Sequence, residues 1–149
     1  FTERKRSFDN YSIEPDINGQ FYIKSQEARN SEIEAEYVNV LFKLNSDFIA
    51  NSQVYIIGEF NNWSADDEYL LEYDFKQNIY NKKICFKQGY YNYHYAIKDT
   101  SLKHLDVASI EGTYYQTRNN YQIYIYFKDI NDRYEKLIGF AKELSKELF

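Results

Sequence analysis

The 149-residue sequence contains no methionine, one cysteine, one proline and five glycines. Each scarcity excludes something. A lone cysteine, Cys85, leaves no intramolecular disulfide and no CxxC metal pair. The two histidines, His94 and His104, form no HxH or HExxH pattern, so no metal-ligand set is expected. Five glycines supply little material for a phosphate-cradling loop, and no such motif occurs. Neither a GxSxG elbow nor a Cys–His signature is present, so no catalytic residue and no cofactor are expected. The acidic run Asp66-Asp67-Glu68 lacks the alternating oxygen ligands and loop glycine of an EF-hand and reads as a solvated loop. No stretch of about 18 apolar residues exists, which excludes a membrane-spanning helix and predicts a chain that is not membrane-inserted. The formal net charge of −5 argues against a general nucleic-acid partner, which would need a basic face. With no initiator methionine, the chain is expected to be a processed product or a fragment.

Aromatic residues are abundant instead: 17 tyrosines, 11 phenylalanines and one tryptophan make up 19% of the chain. Two readings stand. AT-rich codon usage would raise Lys, Asn, Ile, Tyr and Phe together. Alternatively, tyrosines line exposed sheet faces, where a flat amphipathic ring offers a binding surface. Both fit a strand-rich chain, because Tyr and Phe favour strands.

Alternation locates the strands. In 36–44, Val38, Val40, Phe42 and Leu44 alternate with Tyr37, Asn39, Leu41 and Lys43. Strands are also predicted over 53–58, 69–74, 79–86 and 90–97, with Lys87-Gln88-Gly89 as a turn in which Gly89 tolerates positive φ. In 120–127, Tyr121, Ile123, Ile125 and Phe127 are expected to face the core, with Tyr124 and Tyr126 outward. Short strands at this spacing predict an antiparallel β-sandwich, spanning 35–149. Residues 1–34 hold the only proline, Pro15, and one strand-like stretch at 20–24; they read as an N-terminal arm or the return from a preceding domain. Leu137, Ala141, Leu144 and Leu148 fall at helical spacing, predicting a short C-terminal helix or tail from about residue 140. One closed core implies a monomer.

One motif stands out: Gly58-Glu59-Phe60-Asn61-Asn62-Trp63 after a strand, then Gln88-Gly89-Tyr90-Tyr91-Asn92-Tyr93-His94-Tyr95. The pattern G-x-F-N-x-W followed by x-G-x-x-x-Y-x-Y resembles the family-48 carbohydrate-binding modules over about 36–128. That resemblance implies an early-set immunoglobulin-like sandwich and an α-glucan site. Trp63 matches its first stacking tryptophan and Asn119 its glucan-bonding asparagine, while His94 stands where a lysine is usual. The second stacking tryptophan has no counterpart in Lys98-Asp99-Thr100-Ser101-Leu102-Lys103. Without it, glucan binding is expected to be weak, and Trp63 equally suits a ring capping the end of the sandwich.

A longer string of blocks runs from Asp16-Ile17-Asn18-Gly19-Gln20-Phe21 through Lys87-Gln88-Gly89-Tyr90-Tyr91-Asn92-Tyr93 and Ile110-Glu111-Gly112 to Arg133-Tyr134-Glu135-Lys136-Leu137-Ile138-Gly139. In this order they resemble the C-terminal domain of the type 9 secretion system plug proteins of Bacteroidota. The resemblance implies a non-catalytic periplasmic, envelope-associated protein whose partner is an outer-membrane translocon barrel. Tyrosines expected on exposed faces, Tyr37, Tyr90, Tyr124 and Tyr126, are then the candidates for the protein interface.

Overall fold

Inward-facing apolar residues of two β layers meet to form one core, and the strands that carry them are those with the clearest alternation. In the computed structural model, residues 2–11, 17–99, 104–117 and 119–145 are described. They divide into two compact units, Phe1–Thr113 and Tyr114–Phe149.

The first unit is an all-β sandwich. Its larger sheet contains β1 (Glu3–Arg4), β3 (Tyr37–Asn45), β5 (Glu72–Asp74) and β6 (Ile79–Lys87), in the order β1-β3-β6-β5. Strands β3 and β6 pair antiparallel along their whole length, from Tyr37 opposite Lys87 to Asn45 opposite Ile79. The facing layer is β4 (Ser52–Ile57) paired antiparallel with β8 (His94–Asp99). A short ribbon joins β2 (Phe21–Ile23) to β7 (Gly89–Tyr91). Between the layers lie Phe42, Leu44, Ile84 and Phe86 from one side and Val54, Ile56, Tyr95 and Ile97 from the other. The run Val54-Tyr55-Ile56-Ile57 does not alternate because both its faces are covered: Tyr55, Ile57 and Ala96 form a second cluster with Leu70, Leu105 and Val107.

The expected strand at 90–97 is two strands. β7 pairs with β2 and β8 with β4, and the ladder breaks at Asn92-Tyr93. Gly89 is needed for space, not for positive φ: a Cβ there would sit 2.2 Å from the Tyr22 carbonyl oxygen. The segment expected as an arm contributes β1 and β2 to the sheets of the first unit; Pro15 lies outside the described residues.

The second unit is a hairpin of β9 (Asn120–Phe127) and β10 (Lys136–Leu144), antiparallel, with a register shift between Leu137 and Gly139. The helix expected from about residue 140 is therefore a strand. Helix propensity is a weak prior, and cross-strand pairing with the Tyr- and Ile-rich β9 overrides it. Gly139 assists, since Ile125 Cδ1 lies 3.3 Å from where its Cβ would be. Leu148 lies outside the described residues. The expected inward set, Tyr121, Ile123, Ile125 and Phe127, is exposed, as is every residue of β9. The chain thus divides after Thr113, within the stretch read as one sandwich from 35 to 149.

A partly buried polar network holds the chain start against the sandwich. Glu3 Oε1 accepts hydrogen bonds from the Tyr93 hydroxyl at 2.6 Å and the Tyr95 hydroxyl at 2.9 Å. Arg6 pairs with Glu3 at 3.1 Å and with Glu111 at 3.3 Å. Glu111, with its side chain 7% exposed, accepts the Tyr95 backbone N–H at 2.8 Å. It sits on a single helical turn, α2 (Ala108–Glu111), following α1 (Ser31–Glu34). Burial opposes the Arg6 charge, but Glu111 and Glu3 outweigh it and hold its pKa above the ordinary value. Burial, reinforced by Glu3, raises the Tyr93 and Tyr95 phenols well above their ordinary value of 10.0.

The network sets two expectations for stability. Glu111→Ala leaves a buried N–H without its acceptor and is expected to cost about 1–3 kcal/mol in urea unfolding. The raised phenols keep their protons in the folded state, while the unfolded chain releases them near pH 10. The folded state then binds more protons, so this contribution is complete below pH 10 and is lost as pH rises above it. Thermal midpoints measured from pH 8 to 11 are expected to hold up to about pH 10 and then fall, with a shallower fall in Tyr93→Phe.

Candidate functional site

The loop between β4 and β5 is organised by Asn61 of the Gly58–Trp63 motif, a residue to which sequence reasoning assigns no role. Its buried side chain accepts the Gly58 N–H at 2.9 Å and donates to the carbonyls of Ile56 and Ser64, each at 3.1 Å. Phe60 turns inward onto Phe86 and Tyr91, with ring centroids 5.0 and 6.0 Å away. Gly58 leaves the room for this: a Cβ there would meet Phe60 Cε1 at 2.4 Å and the Asn92 carbonyl oxygen at 2.8 Å. Asn62 and Trp63 follow in the left-handed region, at φ 52° and 58°. Two consecutive positive φ values carry the chain out of the layer, and the Trp63 N–H closes the turn on the Gly58 carbonyl at 2.8 Å.

Trp63 is 39% exposed. Its indole lies against the His94 ring, centroids 5.6 Å apart and planes 37° apart. The benzo edge meets Gly19, where a Cβ would come within 3.0 Å of Trp63 Cζ2. Gly19 has φ +78° and is fixed by its N–H to Asn92 Oδ1 at 2.9 Å. The structure therefore brings Trp63 and His94 together, and the indole already touches Gly19 as well. His94 Nδ1 is buried without a hydrogen-bond partner. Asn119 belongs to the second unit, and its side-chain amide donates to the Thr117 carbonyl at 3.1 Å. Thr100–Lys103, part of the stretch without a second tryptophan, lie outside the described residues.

The four tyrosines named for protein contact are all exposed. Tyr37 lies on β3, with Lys87 Nζ 5.7 Å from its ring centroid, and Tyr90 stands opposite Tyr22 in the β2–β7 ribbon. Tyr124 and Tyr126 share one face of β9. The Tyr124 ring packs on Phe140 of β10 at 5.1 Å, and its hydroxyl donates to Gln122 Oε1 at 2.5 Å. The helical reading of the C-terminus hid the other half of this surface: Leu137, Ile138, Phe140 and Leu144 are exposed beside β9. Ile138 and Phe140 within a pattern bearing Gly139 were the available signal for a strand. Among the described residues no cluster of metal-ligating side chains occurs, and no helix is long and apolar enough to cross a membrane.

No family model matches the chain, and no curated protein matches it. It is similar to a hypothetical protein from Parabacteroides merdae whose crystal structure is known at 2.30 Å resolution, with 34% identity and a TM-score of 0.85. The match covers 97% of this chain and 36% of that one, so the chain spans just over a third of the solved protein's length. The two share the all-β sandwich fold.

Asn61→Ala removes three hydrogen bonds from the loop. It is expected to destabilise the domain by about 1–3 kcal/mol and to red-shift the fluorescence of Trp63, the sole tryptophan, as the ring leaves His94. Urea unfolding followed by emission wavelength reads both effects at once.

Proposed function

We propose that this chain is a non-catalytic, protein-binding β module of a periplasmic plug protein, acting on an outer-membrane translocon barrel of type 9 secretion. The observation that carries the reading is the β9–β10 hairpin. One face carries Tyr121, Ile123, Ile125 and Phe127, the other Tyr124, Tyr126 and Phe140, and all are exposed. A two-stranded ribbon is marginal alone in water, and apolar side chains on both its faces need cover. Tyrosine-rich strands provide that contact at low entropic cost, since each ring has few torsions to freeze. The partner and the compartment come from the resemblance over 16–139, whose block Arg133-Tyr134-Glu135-Lys136-Leu137-Ile138-Gly139 enters this same hairpin.

A photo-crosslinking amino acid at Tyr126, in the protein expressed in its own cells, tests the reading. Capture of an outer-membrane barrel is expected, with loss of capture in Tyr124→Ala/Phe140→Ala while the Trp63 emission of the sandwich is retained. Crosslinks confined to non-envelope proteins would refute it.

A second reading, α-glucan binding, is favoured by the half-exposed Trp63 beside His94. One ring stacked on one sugar contributes about 1–3 kcal/mol by analogy with base stacking. Association costs at least about 4 kcal/mol, so dissociation constants near the millimolar range are expected. Titration with maltoheptaose, followed by Trp63 fluorescence, checks this. Micromolar binding abolished by Trp63→Ala would place the glycan reading first.

A further inference from the structure

The two strands of the hairpin differ in how their edges are guarded. β10 carries Lys136, Lys142 and Glu143, and its register shifts between Leu137 and Gly139. Charge and a bulge are the usual protection of an unpaired edge. β9 holds no charge from Asn120 to Phe127, and every one of its residues is exposed. β10 occupies one of its edges, and among the described residues no strand pairs with the other. Strand β3 also lacks a partner over 37–43 on its β1 side, but Lys43, Glu3 and Arg4 place charge beside that edge. A ribbon of two strands is marginal in water, and three or more with an apolar face are needed for a stable sheet. β9 thus combines an unguarded row of backbone amides and carbonyls with a ribbon short of strands.

We propose that this edge pairs with the same edge of a second copy of the chain, giving a dimer built on a four-stranded sheet in the order β10-β9-β9-β10. Charge singles out the occupant. A strand lying along β9 must itself be uncharged and rich in apolar side chains, and β9 meets that requirement. In an antiparallel pair related by a two-fold axis, facing residues share one side of the sheet, so the axis passes through a residue. Centred on Tyr124, the pairing sets Tyr121 opposite Phe127, Gln122 opposite Tyr126 and Ile123 opposite Ile125 across the interface. Every facing pair is neutral, and the polar end residue Asn120 is left outside. The guarded β10 strands become the two outer edges, so the assembly closes at two copies instead of growing. The closed core that predicts a monomer is built, among the described residues, from the first unit alone. The inference goes beyond the translocon reading, because it concerns the backbone edge of β9 and its readout needs no barrel protein.

Sedimentation equilibrium of the 149-residue chain over a concentration series tests it. A monomer–dimer equilibrium with no larger species is expected, with exchange of the β9 amides slowing as the dimer fills. Tyr124→Lys and Tyr124→Glu each set like charges opposite one another at the two-fold axis, and each is expected to weaken association about tenfold or more. An equimolar mixture of the two is expected to dimerise again, because the facing charges then have opposite sign. Both variants lose the contact with Phe140, so recovery in the mixture cannot come from a repaired hairpin. A chain that stays monomeric overturns the proposal, including one whose β9 amides are protected at every dilution, which assigns the edge to the chain itself. Open-ended growth overturns it, as does a mixture that associates no better than either variant alone.

Discussion

The Arg6 guanidinium, held between Glu3 and Glu111, is the interaction on which the architecture of the sandwich turns. It links the first residues of the chain to a helical turn more than a hundred positions later. Both carboxylates also serve β8, Glu111 through the Tyr95 N–H and Glu3 through the Tyr95 hydroxyl. A buried carboxylate is costly unless its oxygens are paired, and here each has a cation or a donor. The network keeps β1 beside β3 although the strand is only two residues long. Removing Arg6 leaves the Glu3 and Glu111 carboxylates, 16% and 7% exposed, short of a partner, so the chain start and the α2 turn are expected to loosen together.

The candidate site depends on the same economy of polar groups. The Gly58–Trp63 loop is held by one asparagine, and the tryptophan it presents is already in contact with Gly19 and His94. With Gly19 and His94 against its ring, Trp63 keeps 39% of its surface exposed for a ligand. The hairpin presents apolar side chains on both faces of a two-stranded ribbon. Measured by exposed apolar surface, the hairpin offers far more area for contact than Trp63 does. That contrast ranks the protein-binding reading ahead of the glycan reading.

How much was legible in the sequence depends on the range over which each feature is determined. β3 and β6 were legible because each has one face in the core, so alternation is written into Val38–Leu44 and Tyr80–Phe86. The break between β7 and β8 was not, since Tyr91, Tyr93 and Tyr95 alternate straight through it; only the change of partner from β2 to β4 creates it. β10 was misread because Leu137, Ala141 and Leu144 satisfy a helical period locally, and the pairing that overrides it comes from β9 across a turn. The Trp63–His94 pair was half legible: the motif marked Trp63 and the aligned strand marked His94. The Asn61 bonds, which make the loop, need the fold to be seen. The Glu3–Arg6–Glu111 network left no local trace, because its members gain meaning only when residues about ninety or more positions apart meet.

The open edge of β3 and the exposed hairpin express one physical point at two scales. A sheet ends either where its backbone is protected or where another chain segment continues it. β10 carries devices of protection, with Lys136, Lys142 and Glu143 along the strand and a register shift at Ile138. β9 has no charge over eight residues, and the β3 edge has none from Tyr37 to Leu41. Sequences under pressure to avoid stray pairing place charge, proline or a bulge at such edges. β3 and β9 omit them over these stretches, so among the described residues these edges carry no such guard. Val38 beside one edge and Ile123, Ile125 and Phe127 along the other leave apolar area exposed next to those unguarded backbones, which is where burial would contribute most.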